Sequence, residues 1–131
     1  VPAYLVAASC RMIIAQRLVR LLCRQCRKED VLSVKESCSL SEQERRRMPR
    51  VWRAAGCPAC HGTGYSGRRP IFEVMPIHSQ EMSQAILRGA DTAAIESLAR
   101  HEGMSSLRNE AVELVVAGLT APSEVLAILH S

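Results

Sequence analysis

Four of the six cysteines stand as two pairs, Cys23-Arg24-Gln25-Cys26 and Cys57-Pro58-Ala59-Cys60, thirty residues apart. A CxxC turn curls the backbone so that both sulfurs aim at one point while nearby N–H groups donate to them. Two such knuckles make a closed tetrahedral S4 cage, the arrangement of a structural zinc site. The candidate ligands are therefore Cys23, Cys26, Cys57 and Cys60, with Zn2+ as the cofactor. The second knuckle continues His61-Gly62-Thr63-Gly64. Glycine there lets the chain fold back over a metal with positive φ.

Other chemistries share parts of this pattern. Cys57-Pro58-Ala59-Cys60-His61 matches the c-type haem motif CxxCH, which leaves Cys23 and Cys26 without a role. Cys57-Pro58-Ala59-Cys60 also resembles a thioredoxin-like redox pair, yet Gly62 and Gly64 follow where such a pair opens a helix. Two disulfides suit a secreted domain, and nothing in the sequence marks secretion. Iron in a rubredoxin-like site takes the same four ligands. Cys10 sits in an apolar stretch and reads as a small core residue. Cys38 reads as a bystander thiol in a serine-rich loop.

The elements that must position these knuckles follow from pattern. Pro2 suits a first helical turn, and the apolar residues Leu5, Val6, Met12, Ile13, Leu18, Leu21 and Leu22 predict one helix over residues 2–22 leading into Cys23. Residues 27–40 read as a polar connection. Ser39-Leu40-Ser41-Glu42 and Ser41-Glu42-Gln43-Glu44 both fit capping boxes, so a short helix should start near residue 40 and stop at Pro49. Val51–Ala55 reads as a strand feeding the second knuckle. Tyr65-Ser66-Gly67 reads as a turn, and residues 69–77 as a strand with proline near each end. Helices should then be capped by Ser79, Asp91, Ser105 or Ser106, and Thr120, with Gly89, Gly103 and Gly118 as stops. Those predict a bundle of three or four helices.

Charge and composition narrow the class. The 131 residues are 47% hydrophobic and 23% charged, which is globular composition. Residues 1–70 hold fourteen Lys or Arg against five acids; residues 71–131 hold three against eight. The run Arg45-Arg46-Arg47 reads as a solvated helix end near a favourable dipole rather than a nucleic-acid patch. The only aromatic residues are Tyr4, Trp52, Tyr65 and Phe72, too few for a base-stacking platform, so no nucleic-acid partner is expected. No apolar run approaches the roughly 20 residues of a membrane span. The first residues read as a cut inside a longer protein rather than as a signal peptide. No G-x-x-x-x-G-K-[ST] phosphate loop occurs, and the only lysines, Lys28 and Lys35, follow no glycine loop. His61, His78, His101 and His130 are scattered and read as surface or knuckle residues. The sequence holds no complete catalytic site.

The stretches 15–23, 56–68 and Ile71-Phe72-Glu73-Val74 resemble the C-terminal part of the type II secretion and type IV pilus assembly ATPases, the GspE/PulE/PilB-type motors. The tail agrees through Gly103-Met104, Leu107-Arg108, Gly118-Leu119-Thr120 and Glu124-Val125-Leu126. The resemblance covers essentially the whole chain in order. It departs at Arg24, where the family usually has proline, at Arg69-Pro70, where Thr-Gly or a similar pair is common, and at Glu110-Ala111, where Asp-Gly is common.

The resemblance implies an α+β, mostly helical fold. Residues 1–22 would be the terminal helix of a RecA-like ATPase domain, residues 23–78 a tetracysteine zinc subdomain with short strands, and residues 79–131 a helical C-terminal subdomain. It also implies a parent that is a homo-hexameric ATPase, peripheral at the cytoplasmic face of the bacterial inner membrane and working with platform proteins. ATP and Mg2+ would belong to the parent alone, because the Walker A and Walker B segments of such proteins lie upstream. The rival is a stand-alone zinc-ribbon module, chaperone-like or nucleic-acid-binding. Residues 57–64 fit one CxxCxGxG repeat of DnaJ-type cofactors, which carry four.

Overall fold

The computed structural model describes residues 1–129. It is a mixed α+β chain. In order it runs α1 (Ala3–Ser9), β1 (Met12–Leu22), β2 (Lys28–Asp30), α2 (Val34–Ser39), α3 (Glu42–Arg47), β3 (Val51–Arg53), a single 3-10 turn (Pro58–Cys60), β4 (Tyr65–Pro76), α4 (Gln80–Leu87), α5 (Thr92–His101), α6 (Leu107–Val116) and α7 (Pro122–Leu129). β1 pairs with β4, and β2 pairs antiparallel with β3 with Glu29 opposite Trp52.

The single helix expected over residues 2–22 is not what forms. A short helix ends at Ser9 and an eleven-residue strand follows. The apolar positions of this segment fit both periods. Its β-branched Ile13, Ile14 and Val19 favour an extended backbone, and β4, some fifty residues away, supplies the hydrogen bonds. Two smaller expectations change as well. Tyr65-Ser66-Gly67 is the start of β4 rather than a turn. Pro70 is accommodated because a two-stranded ribbon has open edges. Cys38 lies on helix α2 rather than in a loop, and it is exposed.

Local capping sets the helix boundaries. Ser33 accepts from the Glu36 amide, and Glu36 accepts from the Ser33 amide, which closes a capping box on α2. Ser41 and Glu44 do the same for α3, which ends before Pro49. Ser79 caps α4 and Asp91 caps α5, as their spacing predicts. Thr120 does not cap α7. Its hydroxyl donates to the Arg20 carbonyl at 2.6 Å, and Pro122 opens the helix.

Contacts divide the chain into two units. One comprises Val1–Gln16 and Phe72–Ser106. Its core holds Ile77, Met82 and Ala99, with Cys10, Met75, Ile95 and Met104 packed around them. There α1 packs on α4 and α4 on α5. The other comprises Arg17–Ile71 and the chain from Leu107 onward. Its core holds Val19, Leu40, Met48, Val51, Ile71, Ala111, Val112, Leu114, Val115 and Val125. By this division α4 and α5 fall in the first unit and α6 and α7 in the second.

The second unit is also tied by ion pairs. Arg53 forks onto Glu36 at 2.8 and 2.7 Å, and Arg108 forks onto Glu44 at 2.7 and 2.8 Å. The Arg53 fork holds the Glu36 carboxyl down at about 2 against the opposition of burial. The Arg108 fork does the same for Glu44, again to about 2. Arg20 holds the buried Glu124 of α7 through its amide and guanidinium, at 2.7–3.1 Å.

Candidate metal centre

The first knuckle follows directly from the end of β1, where Leu22 is the last strand residue. The Cys23 amide donates to the Gly64 carbonyl at 2.9 Å, and the Arg27 amide donates to the Cys23 carbonyl at 3.0 Å, which closes the turn. The second knuckle follows β3 through Ala54-Ala55-Gly56 and curls as the 3-10 turn with Pro58 in its first position. His61 adopts a left-handed conformation after it. Gly62 and Gly64 have φ of 77° and 79°, as their place behind the knuckle predicts. At Gly64 a side chain is excluded twice over, because a Cβ there would lie 2.5 Å from the Ala54 Cβ.

The four cysteine sulfurs lie within 4.8 Å of one another. Cys23 and Cys57 are 3.9 Å apart, Cys26 and Cys60 3.8 Å, and Cys57 and Cys60 3.7 Å. A tetrahedral site with Zn–S bonds of about 2.3 Å needs sulfurs about 3.8 Å apart. The donor set and spacing therefore fit one zinc-sized ion with no position left for water. A disulfide needs sulfurs about 2.05 Å apart, and all six cysteines are free.

Backbone amides point at this cluster. The Gly56 amide donates to Cys26 Sγ at 3.3 Å, Cys57 N–H to Cys60 Sγ at 3.2 Å, and Gly64 N–H to Cys60 Sγ at 3.1 Å. Burial works against a Cys60 thiolate. The Cys57 and Gly64 amides and the neighbouring thiols of Cys57 and Cys26 outweigh it and bring Cys60 down to about 6. At Cys26 the Gly56 amide pulls down, but burial and the three other thiols push it up to about 11. A cation bound here would displace the thiol protons of its ligands.

The four sequence-predicted cysteines converge, and Arg27 near them has other partners. Arg27 donates to the Gly118 carbonyl and lies 4.4 Å over the Trp52 ring. Arg24 is exposed. The run 45–47 is engaged within the fold: Arg45 with the Ser37 carbonyl, Arg46 with Glu42 and Arg47 with Glu113 on α6. His61, His78 and His101 are exposed, and His130 lies outside the described residues. Sequence reasoning missed Trp52 and Gly118 as part of the surroundings of the knuckles. No local pattern links them, because they meet only through the fold.

The family model described as "Type II/IV secretion system protein" matches residues 1–127. The chain belongs to that family. It is 34% identical over 128 residues to the type II secretion system protein HxcR of Pseudomonas aeruginosa, covering 98% of this chain and 23% of the relative. It is 34% identical to a putative type II secretion system protein E of Escherichia coli, covering 98% of this chain and 25% of that one. It is 36% identical over 118 residues to the type IV pilus assembly ATPase PilB of Thermus thermophilus, covering 88% of this chain and 13% of the relative. This secretion-family chain spans a quarter or less of the length of these relatives. Among its described residues no helix is long and apolar enough to cross a membrane.

Proposed function

We propose that this chain is the metal-binding and helical part of an ATPase that drives type II secretion or type IV pilus assembly, and that Cys23, Cys26, Cys57 and Cys60 hold one structural zinc ion. The observation that carries the metal assignment is the convergence of four sulfurs at tetrahedral spacing. The family match over residues 1–127 supports the motor assignment. Zinc supplies cross-linking of the two knuckles rather than Lewis-acid chemistry, because four protein ligands leave no open position.

In this reading residues 1–22 close the ATPase domain as a helix and strand, residues 23–78 form the tetracysteine part, and residues 79–131 form the helical C-terminal part. The partners are other subunits of a homo-hexamer and the platform proteins of the machine, at the cytoplasmic face of a bacterial inner membrane. ATP and Mg2+ bind elsewhere in the parent. The stand-alone zinc-ribbon reading has less support. A secretion-family match extends well past the knuckles, and Arg45, Arg46, Arg47, Arg50 and Arg53 are all engaged within the fold.

The test is a Cys23→Ser/Cys26→Ser pair in the full-length protein, scored for ATP turnover, oligomeric state, and secretion or piliation. Loss of assembly-coupled function supports the reading. Survival of every activity at the level of the unsubstituted protein contradicts it.

A further inference from the structure

We propose that the turn between α6 and α7 is a working part of the metal centre, with Arg27 as the positioning residue that holds the first knuckle against it. The inference rests on the zinc reading above and adds residues that donate no ligand. The turn touches the first knuckle on both flanks. One residue before Cys23, the Leu22 amide donates to the Leu119 carbonyl at 2.9 Å. One residue after Cys26, the Arg27 guanidinium donates to the Gly118 carbonyl. The second knuckle is reached through Trp52 on β3, because the same guanidinium lies 4.4 Å over the Trp52 ring.

The turn is built for this contact. The Gly118 amide bonds to the Val115 carbonyl and the Leu119 amide to the Leu114 carbonyl, the paired bonds that end a helix on a left-handed residue. Gly118 has φ of 73°, and a Cβ there would stand 2.9 Å from the Trp52 ring and 3.4 Å from Arg27. Only a glycine lets the helix end approach this closely. The carbonyl it presents lies at the negative end of α6, where a guanidinium is the favoured partner. Cation, indole face and helix end thus form one stack beside the knuckles.

A CxxC turn held at one end can swing, whereas one held on both flanks keeps its sulfurs in register. Groups that orient metal ligands change metal affinity by about 10- to 100-fold when removed. The coupling is reciprocal, so metal in the knuckles must also steady the α6–α7 turn.

The test starts from the zinc-loaded 131-residue chain. Arg27→Ala should release zinc to excess chelator about tenfold faster, and its cobalt-loaded form should show shifted ligand-field bands, while the melting temperature of the metal-free form stays that of the unsubstituted chain. Release within about twofold of the unsubstituted chain overturns the proposal. Hydrogen exchange on the unsubstituted chain decides the matter without any variant. Removing zinc should deprotect the Leu22 amide and the amides of Gly118 and Leu119; equal protection in both forms overturns the coupling. An unsubstituted chain that holds no metal sinks the zinc reading itself, which is a different outcome from metal held with unchanged kinetics.

Discussion

At the scale of single residues, the centre depends on small groups as much as on sulfur. Gly64 serves three purposes: its amide donates to Cys60, its carbonyl accepts from Cys23, and its backbone turns left-handed against Ala54. Gly64→Ala should therefore cost ~1–3 kcal/mol of strain and weaken metal retention together, read as a lower melting temperature and faster loss of metal to chelator. The convergence of the four sulfurs was legible in the sequence because a CxxC pair is a local pattern with one geometric outcome. The approach of Gly118 to Trp52 was not, since the two meet across sixty-six residues of chain.

Among the elements, α3, α4, α5 and most of β4 are legible in the sequence, whereas β1 and α2 are not. Ser41-Glu42-Gln43-Glu44 specifies its helix start through bonds within four residues, as do Ser79 and Asp91. The Met12–Leu22 strand relies on β4 as a partner, and a segment whose apolar positions fit two periods carries no local signal to choose between them. Two of the capping glutamates also hold distant arginines, which gives an acid-sensitive fold. Glu36 and Glu44 titrate near 2 in the folded chain against an ordinary 4.5. Their stabilisation is complete above pH 4.5 and is lost as pH falls towards 2. It amounts to something on the order of 2 kcal/mol each after allowance for solvent. Urea midpoints should fall between pH 5 and 2, and Glu44→Gln should flatten part of that slope. A midpoint independent of pH over this range contradicts the assignment.

For the molecule as a whole, much of the second unit's order is expected to come from the knuckles. Of the described segment from Cys23 to Cys60, Leu40, Met48 and Val51 join the central apolar cluster and Leu32 packs against it. Metal binding free energy acts as folding free energy in such segments. A chelator should accordingly lower the melting temperature of the chain by ten degrees or more, an order-of-magnitude figure set by about 2–4 °C or more per kcal/mol in a domain of this size. The family is also a statement at this scale, since it rests on a match along nearly the entire chain. Because the sequence carries no phosphate loop, the isolated chain should show no ATP turnover above a no-enzyme blank. Turnover that copurifies with the chain through successive columns contradicts this.

The two knuckles together are expected to hold one zinc. Elemental analysis of the purified chain, beside a Cys57→Ser variant, tests it most directly. One zinc per chain and a marked loss in the variant are expected. Iron in place of zinc, no metal, or the same zinc content in the variant contradicts it.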